Sequence, residues 1–281
     1  MRVHHLNCGT MRPLGGRLLD GTGSIFGRAE MVCHCLLLEL DSGLVLVETG
    51  VGEQAVHRPE EWLGRRFLRL TNPVLDLAQT AVHQIEALGY RREDVRDIVL
   101  THLDLDHAGG LADFPHARVH VYAEELRALQ GGHTREERLR YKEPQFRHGP
   151  RWESYADTGA SWFGFDAVRE LTGLPPEILI IPLAGHTRGH AGVAVDTGSG
   201  WLLSAGDSYF HPGVLDPVRP RQPFGTAMFE KNVQTLPAAR IENQQRLREL
   251  VRDHGDEVTV FSAHSSIEFH AMQQIAVRPN P

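Results

Sequence analysis

The chain has 281 residues, 41% of them hydrophobic and 23% charged, with a formal net charge of −7. That composition can fill a core, but it lacks the Lys/Arg runs of a nucleic-acid surface and the ~20 consecutive apolar residues of a membrane helix. The first residues carry no apolar run of signal-peptide type, so we expect a cytoplasmic protein with no nucleic-acid or membrane partner.

In chain order, residues 9–29 read as a Gly-rich loop. Residues 32–40 follow as a strand, Asp41-Ser42-Gly43 as a turn, and Leu44 to Glu48 as the returning strand. Cys33 and Cys35 are two apart, so a strand points both to one face, and they read as small buried side chains in preference to a Cys-His-Cys metal site, which lacks a second ligand pair. With Cys8 they make only three cysteines, too few and too odd for a disulfide framework. Leu77 to Leu88 has helical apolar spacing, with Gly89 as its C-cap. Val95 to Leu100 is a short apolar run that reads as a buried strand. Val119 to Tyr122 is another strand, and Ala123 to Gln130 and Arg135 to Tyr141 are polar helices.

We expect residues from about 124 to 170 to form an insertion or lid over one end of the sheet. Strands are expected at Ile178–Leu183, Ala191–Asp196, Trp201–Ser204 and Val258–Ser262, with a helix over Ala238–His254. Strand pairs followed by strand–helix units fit one α/β domain over residues 1–281, with two sheets packed face to face and helices outside.

The compositional anomaly is histidine, 17 residues, several clustered with acidic neighbours. Histidine is the commonest metal ligand. Thr101-His102-Leu103-Asp104-Leu105-Asp106-His107-Ala108-Gly109-Gly110 places four ligand-type side chains directly after a strand. An extended backbone projects His102 and Asp104 to one side. Asp106 and His107 come after the chain turns and face a second point, and the two glycines let the backbone pass close by. A polar loop with N-capping aspartates is the bland alternative, but it has no need of the flanking histidines.

This segment resembles the metallo-β-lactamase signature His-x-His-x-Asp-His. Leu46-Val47-Glu48-Thr49-Gly50 is similar to the family's Asp-Thr-Gly strand end, and Gly185-His186-Thr187-Arg188-Gly189-His190 to its Gly-His-Thr-Pro-Gly-His motif. Ala205-Gly206-Asp207-Ser208-Tyr209-Phe210 looks like the motif carrying the bridging aspartate, and Ser262-Ala263-His264 like the site of the last histidine. The resemblance implies a metallo-β-lactamase αββα sandwich. It also implies a first metal held by His102, Asp104 and His186, a second held by Asp106, His107 and His264, and Asp207 bridging both. His190 is then structural.

Two residues depart from the pattern. Asp104 stands where a histidine is usual, which widens the expected metal from zinc to iron or manganese and leaves open a weak first site. Glu48 stands where the orienting aspartate is usual.

The resemblance implies a hydrolase in which two divalent ions about 3.5–4 Å apart hold a hydroxide nucleophile. Asp106 is expected to accept a proton or orient that nucleophile. The Gly-rich N-terminal loop and Tyr209 are similar to features of the quorum-quenching lactonase branch, which points to a lactone or other carboxylic ester of a small molecule. In that branch a nearby tyrosine donates to the reacting oxygen, although here the spacing is one residue short.

Trp152, Tyr155, Trp162, Phe163 and Phe165 are expected either to wall a pocket or to pack as core. Arg188, Arg219 and Arg221 keep a phosphoester hydrolase as the alternative, and a metal-binding module without catalysis is the reading from another class. A homodimer is compatible with the apolar stretch Trp62–Leu70. Most of the remaining histidines, His133 among them, read as surface or satisfied core groups, while His148 and His211 lie on rim loops within reach of substrate.

Overall fold

Alternation along the central strands decides the architecture. In β2 (Met31–Leu40) Cys35 and Leu37 enter one apolar cluster, with Ala81, Val82 and Ile85 of a covering helix. Leu36 and Leu38 enter another, with Ile178, Ile180, Val193 and Val195. In β3 (Gly43–Val47) Leu44 and Leu46 go one way and Val45 and Val47 the other. The same division recurs in β10 (Ile178–Pro182), whose Leu179 and Ile181 leave the shared core to meet Leu247 and Leu250. Strands apolar on both faces must be covered on both. The result is two sheets sharing one core, with helices outside, the αββα sandwich expected. Each such side chain contributes about 1.5–3 kcal/mol of burial.

The computed structural model describes residues 1–131, 134–156 and 158–276, so His133 lies outside the described residues. The first sheet has seven strands in the order β4-β1-β2-β3-β5-β6-β7. Besides β2 and β3 it contains β1 (Arg2–Met11), β4 (Pro73–Val74), β5 (Val95–Val99), β6 (Arg118–Tyr122) and β7 (Arg151–Tyr155). The second has six, in the order β13-β12-β11-β10-β9-β8. It is made of β8 (Ala160–Trp162), β9 (Phe165–Glu170), β10, β11 (Ala191–Asp196), β12 (Trp201–Ser204) and β13 (Val258–Phe261). β3, β5 and β6 run parallel, as do β12 and β13.

Residues 124–170 are not simply a lid. They supply β7, which pairs with β6, and β8 and β9, which join the second sheet through β10. The aromatics of this stretch pack as core rather than around the histidine cluster. Tyr155 stacks on His120 between the sheets, and Trp152 lies against Phe146. Trp162 meets Phe163, Phe165 and Trp201 on the outer face of the second sheet. Trp62 and Leu63 are buried within the chain's own core, whereas Leu70 is exposed. Among the described residues no helix is long and apolar enough to cross a membrane.

Candidate metal centre

The segment after β5 is organised by its leucines. Leu103 and Leu105 are buried in apolar clusters on the helix side. Alternation then leaves His102, Asp104 and Asp106 to face the cleft. The turn closes when the His107 and Ala108 amides both donate to the Asp104 carbonyl, at 3.0 and 2.9 Å. Gly109 and Gly110 have no room for side chains. A Cβ would stand 2.6 Å from the Leu105 and Val51 carbonyls in one case and 2.7 Å from the Thr49 carbonyl in the other. That closeness lets the Thr49 amide and hydroxyl both donate to the His107 carbonyl.

Three further segments, each following a strand, bring the remaining donors. His186 comes after β10, Asp207 after β12 and His264 after β13. The structure brings His102, Asp104, His186 and Asp207 into one group whose ligand atoms all lie within 4.8 Å of one another. His107, Asp207 and His264 form a second group, and Cys33, Asp106 and His264 a third that shares His264. All these side chains are buried except Asp104, which is partly so.

The donor atoms fit a cation. His264 Nδ1 lies 2.6 Å from the Val32 carbonyl, which can only accept, so this nitrogen carries the proton and Nε2 presents a lone pair. His107 Nδ1 lies 2.7 Å from the Glu48 carboxylate and is oriented in the same way. The two Nε2 atoms therefore face each other at 3.2 Å, and both approach Asp207 Oδ1, at 3.4 and 3.2 Å. Asp207 Oδ1 makes no aligned hydrogen bond, and neither does the buried His102 Nε2. Facing lone pairs and an unpartnered carboxylate oxygen repel one another unless a positive charge lies between them. Burial pushes the His107 pKa down, but the Asp207 and Glu48 carboxylates outweigh it and hold the pKa well above the ordinary value, so this position favours a positive charge, carried by a proton or by a metal ion that displaces it.

Other residues hold the ligands in place. Glu48 accepts from the Thr101 amide at 2.6 Å with one oxygen and contacts His107 with the other. It does so from a left-handed backbone, φ 66°. His190 donates from Nδ1 to the Leu183 carbonyl and accepts the Asp207 amide on Nε2 at 2.9 Å, so it fixes the aspartate's backbone. Burial pushes its pKa down to about 3, which keeps it neutral in that role. Gly206, φ 52°, passes so close to this ring that a Cβ would lie 2.6 Å from Nε2.

Tyr209 is not brought to the centre. Its ring is wholly buried beside Val214, Leu215 and Leu247, and its hydroxyl donates to Glu268 at 2.8 Å. Along the chain it is near Asp207, but its side chain belongs to the opposite face of that segment.

Four neighbours escaped the sequence reading. Cys33, read as a small buried residue, sits on β2 with its sulfur toward Asp106 and His264. Glu125 is fully buried and accepts from the Leu103 and Gly189 amides, stapling two ligand loops together. Phe210 stacks on His264, with ring centroids 5.6 Å apart. Arg140 reaches Asp104 and His186 from the helix Arg135–Arg140. Only Phe210, beside Asp207 in sequence, had a local signal.

From His264 and Phe210 a groove runs outward past Met31, Leu19, Phe229 and Ile267, with Asp20, Glu30 and His211 among its polar members. Among the described residues no Lys or Arg lines it. Arg188 is held by Glu137, Nε to Oε1 2.7 Å.

The sequence model of the metallo-beta-lactamase superfamily matches residues 28–264. A Mycobacterium tuberculosis protein named as a probable metallo-hydrolase is 43% identical over 266 residues, 94% of this chain and 80% of that protein. An N-acyl homoserine lactonase of Bacillus cereus is 34% identical over 96 residues, 34% of this chain and 38% of that one. Among solved structures, an N-acyl homoserine lactone hydrolase carrying N-hexanoyl-L-homoserine at its catalytic metal centre has a similar fold. Its TM-score is 0.68 at 21% identity, covering 99% of this chain and 96% of that one.

Proposed function

Because the chain belongs to the metallo-beta-lactamase superfamily and is a metallo-hydrolase of that family, we propose that its substrate is a lactone or other carboxylic ester of a small molecule. Zinc is the first-choice metal, with iron or manganese admitted by the carboxylate at position 104. A divalent ion held by these residues acidifies water and polarises the reacting carbonyl. His102, Asp104 and His186 would hold one ion, Asp106, His107 and His264 a second, and Asp207 would serve both.

Asp106 has a further role in this reading. It would accept a proton from the nucleophile or orient it, and burial pushes its carboxyl pKa above the ordinary value. Phe210 and the groove beyond it seat the apolar part of the substrate and exclude water from the reacting carbonyl.

The observation that carries the substrate class is the groove at His264, whose walls are apolar and whose charged members, Asp20 and Glu30, are acidic. An anionic phosphoester meets repulsion there, and Arg188, a candidate anion binder in the sequence, is committed to Glu137. The names of two relatives, both N-acyl homoserine lactonases, support the same class.

The test is a comparison of acyl-homoserine lactones, simple lactones, aryl esters and aryl phosphates with metal-loaded protein. We expect turnover of lactones or esters. A preference for phosphates overturns the substrate class, and bound metal with no turnover of any class overturns the enzyme reading.

A further inference from the structure

Arg140 places its cation on two of the donors assigned to the first ion. Its side chain is 11% exposed. One terminal nitrogen lies against the Asp104 carboxylate and 2.8 Å from His186 Nε2, and the other donates to the Val233 carbonyl. A guanidinium only donates and does not lose its proton. In a hydrogen bond with Arg140 the His186 nitrogen is therefore the acceptor, and the same nitrogen lies 3.0 Å from Asp104 Oδ2. That nitrogen has one lone pair, in the ring plane, and a lone pair accepting from Arg140 is not free to bind a metal ion. Asp104 Oδ2, the oxygen nearest His102 and His186, is engaged by the same nitrogen.

The second group is built differently. Among the described residues the ion pairs of Asp106 and Asp207 are with histidines alone. Among the described residues its carboxylates pair with no Arg or Lys.

Resting on the metal-centre reading above, we propose that Arg140 is a built-in competitor for the first site, so that the centre loads unequally. Asp106, His107, Asp207 and His264 take the first ion tightly. His102, Asp104 and His186 take a second only when Arg140 withdraws.

Two departures from the family motifs meet at this one feature. Asp104, in place of a histidine, gives Arg140 an anionic partner. Arg188, in place of a proline, pairs with Glu137, three residues before Arg140 on the same helix. Glu137 also closes a reciprocal cap with Thr134 at the start of that helix. The helix that delivers the guanidinium is thus tied by an ion pair to the loop that carries His186.

The experiment is stepwise loading of metal-free protein with Mn(II), followed by calorimetry, metal analysis after dialysis, and electron paramagnetic resonance. Wild type should bind one ion tightly and a second weakly, with uncoupled Mn(II) signals at one equivalent. Arg140→Gln should tighten the second site by about 10–100-fold, the range typical of groups that touch metal ligands, and show coupled pairs early. Arg140→Lys keeps the charge and should keep the unequal loading, which guards against a folding defect in the neutral variant.

Two equally tight sites in the wild type overturn the proposal. So does an Arg140→Gln titration that matches wild type, or an Arg140→Lys titration that matches Arg140→Gln. Unequal loading with no ester turnover leaves the proposal standing and removes only the substrate reading. Absence of metal binding in every variant removes both.

Discussion

Around Asp106, His107 and His264 the imidazoles are aimed from behind. The Glu48 carboxylate and the Val32 carbonyl each take the far ring nitrogen, which leaves the near one bare toward Asp207. Around Asp104 and His186 the decisive contact comes from the front, where Arg140 lies on the donor atoms themselves. The same residue types therefore serve opposite ends. An acceptor behind a ligand raises its readiness for a cation, whereas a cation in front of it competes for the same lone pairs. Two nearby sites with nearly matching donors need not bind equally, and the groups around the ligands decide which fills first.

Several changes would break or sharpen that contrast. Asp207 belongs to both halves, so Asp207→Ala should reduce hydrolysis to background and lower total metal content, as measured by turnover and metal analysis. Full activity would contradict the assignment. Glu48→Gln acts behind His107 and, through the Thr101 amide, on the strand end that carries His102. It should weaken the tight ion by about 10–100-fold in calorimetry, a cost typical of residues that orient ligands. Asp104→His removes the anion that Arg140 pairs with, and the fold and zinc binding should survive. Loss of all metal on this change would show that Asp104 serves more than the first half.

The pair Tyr209–Glu268 lies outside both halves and is the control. Burial raises the Glu268 carboxyl from 4.5 to about 7. A carboxyl that holds its proton more tightly when folded makes stability fall as pH rises between those two values. Glu268→Gln should flatten that fall in thermal unfolding of metal-loaded protein, and an unchanged slope would reject the shift. Tyr209→Phe should cost about 1 kcal/mol, the usual value of one hydrogen bond, and leave turnover intact.

Much of this was legible along the chain. Residues 101–110 carry their own alternation, with leucines inward and ligands outward, and β2, β3, β5, β10 and β11 announce themselves as apolar runs. β1 was missed because His4, His5 and Asn7 break its apolar pattern. Partners distant in sequence satisfy them instead, with His5 bonded to His34 and Asn7 accepting from the Cys33 amide. β7 to β9 were missed for a related reason, since their polar and aromatic residues find order only against β6 and β10. Arg140 left no local trace at all, because its partners are 36 and 46 positions away. Tyr209 shows the converse error, in which nearness along the chain to Asp207 stood in for nearness in space.

The donors come from both layers of the sandwich. His102 to His107 hang from the first sheet, and His186, Asp207 and His264 hang from the second. An ion shared among them is a clasp across the seam, and its binding free energy counts toward holding the layers shut. Chelation should therefore lower the melting temperature as well as silence the chemistry. Amide exchange should quicken first along the rim where the strands β3, β5 and β12 end.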